Sequence, residues 1–284
     1  MIPFELHTPT TLDEALGLLA QYGDEARPIA GGTALVLLME QHQGRPAHLV
    51  NLGRVAGLSG ITTENGSLRI GAGTPHRLVE MNPAVKQGWS LLAETYARVA
   101  TVRIRNVATV GGGLAHADPN QDPPPSYIAL NARVQIASRQ GTREVAMEDL
   151  FRDYYETQLQ PGEVITEVVV PRPIASLRTA YLKFLPRTAD DYPTVGVAVA
   201  LDVQDGRCVA ARIALNAVGP TVVRAREAEN VLRGQMLNPD LLREAAATVP
   251  AITDPISDHR GSANYKSRMA EVFTRRALER ALAA

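Results

Sequence analysis

The chain has 284 residues, of which 45% are hydrophobic, so it can bury a large core and is long enough for two domains. A net charge of −1 offers no basic stripe along which nucleic-acid phosphates could be neutralised, which excludes a nucleic acid as the main ligand. The one cysteine, Cys208, excludes an internal disulfide and any cysteine-ligated iron–sulfur cluster held by this chain alone.

Met1-Ile2-Pro3-Phe4-Glu5 has neither a basic stretch nor a following apolar run, and no segment reaches membrane-spanning length. A cytoplasmic location without membrane insertion is the expectation. Thr11-Leu12-Asp13-Glu14 reads as a capping box, and Leu12, Ala15, Leu16 and Leu19 share one face of a helix predicted to end near Gly23. A short strand then enters a first glycine-rich turn, Pro28-Ile29-Ala30-Gly31-Gly32-Thr33-Ala34-Leu35. The apolar run from Ala34 to Met39 predicts a helix starting at Thr33 and ending near Gly44, followed by a strand at His48 to Leu52. Strand–helix alternation of this kind suggests a small α/β lobe. Free N–H groups at such a helix start favour an anion, the glycines allow close backbone approach, and the Thr33 hydroxyl can cap the helix or donate to a phosphate oxygen.

From Ser67 the chain predicts a strand through Leu68 to Gly73, a short helix opened by Thr74-Pro75, and a longer helix from Trp89 to Val102. Gly71-Ala72-Gly73-Thr74-Pro75-His76 begins like a dinucleotide fingerprint, yet it lacks the third glycine and the acidic residue of a βαβ unit. Arg103 to Gly112 reads as a helix end running into a second glycine-rich turn, Thr109-Val110-Gly111-Gly112-Gly113-Leu114-Ala115-His116-Ala117-Asp118. Its glycines are expected to bend a strand and gather N–H groups into an anion nest. His116 and Asp118 have no further metal ligands nearby, so His116 is expected as a polar contact to a cofactor rather than as a metal ligand. His7, His42, His48 and His259 are scattered and receive no chemical role. A Pro-rich segment, Pro119 to Pro125, and strands at Arg133 to Ser138, Glu144 to Met147 and Val164 to Val170 complete a second lobe. Either glycine turn alone is what an ordinary tight connection looks like; together they suggest a diphosphate cofactor held from two sides.

Pro171-Arg172-Pro173 is the predicted linker. Beyond it Val195, Val197, Val199, Leu201 and Val203 alternate, Asp205-Gly206 supplies a hairpin turn, and Val209, Ala211, Ile213 and Leu215 alternate again. The expectation is an antiparallel sheet with one buried face. Helices at Val222–Arg233, Pro239–Thr248 and Ala263–Leu282 should cover it, the last with Tyr265, Met269, Val272 and Phe273 on one face.

With Ala-Gly-Gly-Xaa-Xaa-Leu at 30–35, Ile-Arg-Asn-Xaa-Xaa-Thr-Val-Gly-Gly at 104–112, and Asp122-Pro123 beyond, the chain resembles the FAD-binding subunit of the molybdenum hydroxylases, the xanthine dehydrogenase and carbon monoxide dehydrogenase group. The resemblance continues through Pro161 to Ile165, Lys183 to Arg187, Asp191 to Val197 and the helix bearing Tyr265, Arg268, Thr274, Arg275 and Arg276, covering nearly the whole chain. It implies an α+β fold: a two-lobed PCMH-type FAD-binding domain at 1–173, with lobes of about 1–57 and 58–173, then a smaller domain of antiparallel sheet plus helices at 174–284. FAD would bind non-covalently between the lobes and against the second domain.

The implied cofactor contacts are Ala30, Gly31, Gly32, Thr33, Ala34 and Leu35 in the first turn, and Thr109, Gly111, Gly112, Gly113 and His116 in the second. Asp122 is implied to accept from a nucleotide hydroxyl, Ile165 to pack near the adenine, Lys183 to sit near the isoalloxazine and Tyr192 to lie against the flavin ring. Without the resemblance, Lys183 and Tyr192 would read as a sheet-surface ion pair and a half-buried aromatic. Gly113 stands where the family usually has Asn or Asp, so only backbone contact is expected there. No catalytic side chain is implied, because the flavin carries the redox chemistry.

The implied assembly is a dimer of heterotrimers. A large molybdopterin subunit oxidises substrate with water-derived oxygen, a small subunit with two [2Fe–2S] clusters relays electrons, and FAD passes them to an external acceptor such as a quinone, dioxygen or NAD. The lack of a cysteine-rich insertion argues against the branch with an additional cluster in its flavin subunit. Two other readings stand beside this one: a stand-alone PCMH-type flavin oxidoreductase, and a non-catalytic assembly subunit that has lost FAD.

Overall fold

The computed structural model describes residues 3–186, 188 and 190–283. Arg187, the last residue of one stretch that carries the resemblance, lies outside the described residues. The first lobe runs β1 (Glu5–His7), α1 (Leu12–Tyr22), β2 (Ala26–Ile29), α2 (Leu35–Glu40) and β3 (His48–Asn51), with the strands in a parallel sheet of order β1-β3-β2. Thr11 caps α1 as its sequence predicts, its hydroxyl accepting from the Glu14 N–H at 3.2 Å, and the Glu14 carboxylate accepts in return from the N–H of Thr10. Ala15, Leu16 and Leu19 pack on Val50, Val55 and Leu58. Thr33, however, does not begin the second helix. Gly32 takes φ +69° and residues 33–34 form a turn, so α2 starts at Leu35 without a side-chain cap and stops at Glu40, short of Gly44.

The second lobe runs β4 (Ile61–Glu64), β5 (Ser67–Gly71), α3 (His76–Met81), α4 (Pro83–Gly88), α5 (Ser90–Ala97), α6 (Val102–Arg105), α7 (Val110–His116), α8 (Pro123–Ala129), β6 (Arg133–Ser138), β7 (Gly141–Ala146), β8 (Phe151–Asp153), β9 (Glu156–Thr157) and β10 (Val164–Val170). Its antiparallel sheet has the order β4-β5-β10-β6-β7. The helix predicted from Trp89 to Val102 is broken: α5 stops at Ala97, Ala100 takes φ +37°, and α6 restarts after Thr101. The buried Arg105 guanidinium stabilises the break by donating to the carbonyls of Val99 and Ala100, at 2.6 and 2.9 Å, while pairing with Glu80 at 2.8 Å. The three glycines of the second turn do not bend a strand. They form the first turns of α7, which Thr109 caps through the Gly112 N–H at 3.2 Å.

The remainder forms β11 (Leu177–Phe184), β12 (Val195–Gln204), β13 (Arg207–Asn216), β14 (Val223–Arg224), α9 (Arg226–Leu232), α10 (Pro239–Ala247) and α11 (Ala263–Ala283), with a sheet of order β11-β12-β13-β14. Asp205 and Gly206 both have positive φ, +50° and +76°, as a tight hairpin of the predicted kind needs. The short strand β14 pairs with Ala214 and Leu215, so α9 begins later than Val222. The expectation of one buried face is corrected, because β12 is buried on both sides from Val195 to Asp202. Val197, Val199, Leu201, Ile213 and Leu215 meet the helices, while Ala198, Ala200 and Ala214 join the core that contains Leu68, Ile70 and Tyr127. The residues between the large aliphatics are small and apolar, so α8 can lie directly on the sheet.

A buried ion pair crosses this contact. Asp122, just before α8, accepts from the Tyr181 hydroxyl at 2.6 Å and from Lys183 at 2.9 Å, and Lys183 also donates to the carbonyl of Arg98 at 2.8 Å. The lysine and carboxylate side chains are 2% and 4% exposed. Burial pushes the Asp122 carboxyl above its ordinary range, opposed by the charge of Lys183 and by the two hydrogen bonds. Removing one partner leaves the other buried and uncompensated, so Lys183→Met is expected to lower unfolding free energy by about 3–5 kcal/mol. The double variant Lys183→Met/Asp122→Asn should recover a substantial part of that loss in urea denaturation. Equal destabilisation of the single and double variants would contradict this account.

Candidate functional site

The first glycine turn meets, backbone to backbone, the segment Val107-Ala108 that leads into the second turn. A Cβ on Gly31 would lie 2.1 Å from the carbonyl oxygen of Val107 and 2.8 Å from its carbon, so only glycine fits. The second turn is seated in the same way: a Cβ on Gly111 would lie 2.5 Å from the Cβ of Ala72. Gly112, in contrast, is exposed, and the hydroxyl of its own cap, Thr109, is the single heavy atom a Cβ there would meet.

The hydrogen bonds distinguish the turns. In the second, Val110 donates to Thr74 at 3.0 Å, Gly111 to Ala72 at 2.7 Å, Gly112 to the Thr109 hydroxyl and Gly113 to the Thr109 carbonyl at 3.0 Å. The expected anion nest is therefore not available there, since its N–H groups are already satisfied. In the first turn, the successive N–H groups of Gly31, Gly32, Thr33 and Ala34 meet no acceptor among the described residues. They sit between β2 and α2, where free N–H groups suit an anion. The second turn supplies a flat, side-chain-free wall at Gly112.

Ala30 and Leu35 flank the free N–H groups, and both are partly exposed. Gly113 sits against Gln121, whose Oε1 would be 2.9 Å from a Cβ at position 113. The Gln121 amide nitrogen is itself buried with no partner among the described residues, a donor left over beside the second turn. His116, at the end of α7, is half-buried with its ring centroid 5.3 Å from that of Tyr155, and burial lowers its pKa against the charge of Asp118. Asp118 is buried and accepts from the Asn120 backbone and side chain, both at 2.9 Å. Tyr192 is 40% exposed, with the Arg260 guanidinium 5.8 Å from its ring centroid; burial and then the Asp118 charge raise its phenol pKa.

Asp122 and Lys183 are brought together, but each is engaged by the other within the protein. Ile165 lies in the main core on β10, opposite Ile136 and 4% exposed. A surface hollow of about 450 Å³ beside Glu14, Leu18 and Arg139 contains none of the candidate residues.

Sequence reasoning missed His76. Its Nε2 donates to the Thr109 carbonyl at 3.1 Å, its backbone N–H donates to the Ala108 carbonyl at 2.9 Å, and its ring meets Tyr96 edge-on. The available signal was the segment Gly71 to His76. This is a packing corner rather than a nucleotide loop: the carbonyls of Ala72 and Thr74 hold the start of α7, and Gly71 packs on the Leu58 carbonyl.

Residues 2–173 match the family model for the FAD binding domain in molybdopterin dehydrogenase, and residues 180–281 match the CO dehydrogenase flavoprotein C-terminal domain. The chain belongs to the FAD-binding subunits of the molybdopterin dehydrogenases. It is a flavoprotein oxidoreductase subunit, and its cofactor is FAD. It is 38% identical to the carbon monoxide dehydrogenase medium chain of Afipia carboxidovorans, over 100% of this chain and 99% of that one. It is 36% identical to the 6-hydroxypseudooxynicotine dehydrogenase complex subunit alpha of Paenarthrobacter nicotinovorans, covering 98% and 94%. Among solved structures, it superimposes on carbon monoxide dehydrogenase from Hydrogenophaga pseudoflava with a TM-score of 0.97 at 38% identity, covering 100% and 99%. Quinoline 2-oxidoreductase from Pseudomonas putida 86 gives 0.93 at 35% identity, covering 100% and 98%. The free N–H row, the unfilled face at Gly112 and the unpartnered Gln121 amide suit a diphosphate-containing flavin, so the residues present fit the cofactor.

Burial holds the His76 imidazole neutral, lowering its pKa from 6.5 to about 4. The unfolded state takes up this proton first as pH falls, so stability is lost between pH 6.5 and 4, by about 3 kcal/mol at most. His76→Gln should flatten that part of the stability–pH curve measured by denaturant unfolding. An unchanged slope in the variant would rule out His76 as its source.

Proposed function

We propose that this chain is the electron-transfer flavoprotein of a heterotrimeric molybdenum hydroxylase, assembled as a dimer of heterotrimers in the cytoplasm with a large molybdopterin subunit and a small iron–sulfur subunit. The observation that carries the proposal is the row of unpaired N–H groups at Gly31 to Ala34, with Gly31 packed on the Val107 carbonyl just before the second glycine turn. The first turn would hold the FAD diphosphate by its backbone, with Thr33 able to add a hydroxyl. Gly112 and Gly113 would bound the cofactor on the opposite side, with Gln121 and His116 offering polar contacts. Tyr192, exposed and braced by Arg260, is the group assigned to the flavin ring. The buried pair Asp122–Lys183 would act through position, fixing the loop that leads from α7 into α8. When bound, FAD supplies exchange of electrons between iron–sulfur clusters on the small subunit and an external acceptor.

Support for a partner-bound state comes from the surface around the turns. Val36, Leu37, Val102, Ile104 and Val107 are large apolar residues exposed on α2, on α6 and in the segment after it. Exposed large apolar residues near the turns are what a protein-covered surface would carry. No helix among the described residues is long and apolar enough to cross a membrane.

Gly32→Val and Gly112→Val test the two-turn site in the complex co-expressed with its partner subunits. The first forces a β-branched residue to φ +69°, and the second fills the open face of α7. Each is expected to abolish flavin absorbance in the purified complex while leaving the C-terminal domain folded by hydrogen exchange. Normal flavin content in both would sink the two-turn model. Native mass spectrometry of the untagged assembly checks the partners: a flavin-bearing oligomer of this chain alone would replace the heterotrimer with a self-sufficient flavoenzyme.

A further inference from the structure

At the far end of the first-lobe sheet from its glycine turn, Glu5, His7 and His48 converge. Glu5 and His48 are register partners on the parallel strands β1 and β3, and His7 follows Glu5 by two residues, so all three project from one face. His7 Nε2 and His48 Nδ1 are 3.1 Å apart, and His48 Nδ1 is 3.5 Å from Glu5 Oε2. One ligand atom from each residue lies within 4.8 Å of the other two. In a tetrahedral zinc site with bonds of about 2.0–2.1 Å, neighbouring donors lie roughly 3.3–3.4 Å apart; the two His48 pairs, at 3.1 and 3.5 Å, bracket that spacing, and the Glu5–His7 pair is the longer one, its carboxylate 4.0 Å from His7 Nδ1.

The rings are also held in place before any metal arrives. Tyr22, at the end of α1, stacks on His48 with centroids 3.7 Å apart and on His7 at 5.1 Å. The histidine side chains are 12% and 16% exposed, whereas Glu5 is 64% exposed, so the cluster is walled on its inner side and open to solvent on the other. The nearest alternative is a plain histidine–histidine hydrogen bond. It uses one proton between two nitrogens and leaves the carboxylate at 3.5 Å with no role in that bond.

We propose that Glu5, His7 and His48 form a site for a divalent transition-metal ion of the zinc class, with solvent in the fourth position. Binding exchanges the histidine–histidine hydrogen bond for two metal–nitrogen bonds. A tautomer shift that moves the shared proton to the outer nitrogen of its ring frees both inner nitrogens, so neutral rings need release no proton. The ion would tie the edge strand β1 to β3, with Tyr22 bringing the end of α1 against both rings.

The test uses the chelator-treated complex and Zn²⁺ in competition with a chromophoric chelator. Wild type should bind one more zinc per copy of this chain than His48→Gln, and Glu5→Gln, altered at an exposed position, should weaken that zinc by at least about 10-fold. Co²⁺ loaded in place of zinc should give the visible absorption of a four-coordinate nitrogen–oxygen site in wild type and not in His48→Gln. Equal zinc stoichiometry in wild type and His48→Gln would overturn the proposal, as would the absence of a wild-type-specific cobalt spectrum. Flavin content is read in the same samples and should not change, which keeps this outcome separate from that of the flavin site.

Discussion

The carbonyl of Val107 occupies the place where a side chain at residue 31 would begin, and the rest of the site is arranged around that contact. It brings a loop from the parallel lobe onto a loop from the antiparallel lobe with no side chain between them. The first turn keeps its N–H groups unpaired, while those at the start of the second are satisfied within the protein. Rigidity in the second turn comes from the corner beneath it, where Ala72, Thr74, Thr109 and His76 hold the start of α7. The two turns that look alike in sequence thus differ in structure, with free donors in one and a seated, side-chain-free helix start in the other.

The second domain is fixed to this arrangement through two kinds of contact. Small apolar residues on β12 and β13 let α8 pack closely on the sheet, and the Asp122–Lys183 pair with Tyr181 crosses the same surface. The side chain of Asn216 adds hydrogen bonds to the carbonyls of Asn120 and Gln121 at 3.1 and 2.6 Å. The segment from Asp118 to Asp122 is therefore held from both domains, and it carries Gln121 beside Gly113 at the second turn. An ion pair this well buried is a demanding way to dock two units, since burial alone disfavours the carboxylate. Its hydrogen bonds to Tyr181 and to the Arg98 carbonyl make that geometry specific to one docking arrangement.

The elements with strong local signals were legible in the sequence: the Thr11 cap and amphipathic face of α1, the Asp205-Gly206 hairpin, and the strands Arg133–Ser138 and Val164–Val170. The errors share a cause. Thr33 follows glycines and precedes apolar residues, the local pattern of a helix start, yet the backbone at Gly32 delays the helix by two positions. The stretch after Trp89 has the local pattern of a continuous helix, and nothing local announces the break that Arg105 and Glu80 stabilise. Alternation in β12 suggested one wet face, whereas the intervening residues are small enough to be covered by another domain.

By itself the sequence determined that two glycine turns, an α/β lobe, an antiparallel lobe and a sheet-and-helix domain occur in this order, and its motifs identified the flavin-binding family. Those features rest on periodicity, caps and turns, which act between residues close in the chain. Tertiary structure alone decided which turn keeps free donors, that His76 supports the second turn, that Asp122 and Lys183 engage each other, and that Glu5, His7 and His48 converge. Each of these depends on contacts between residues far apart in sequence. Only packing reveals whether an N–H, a carboxylate or an imidazole has already found its partner.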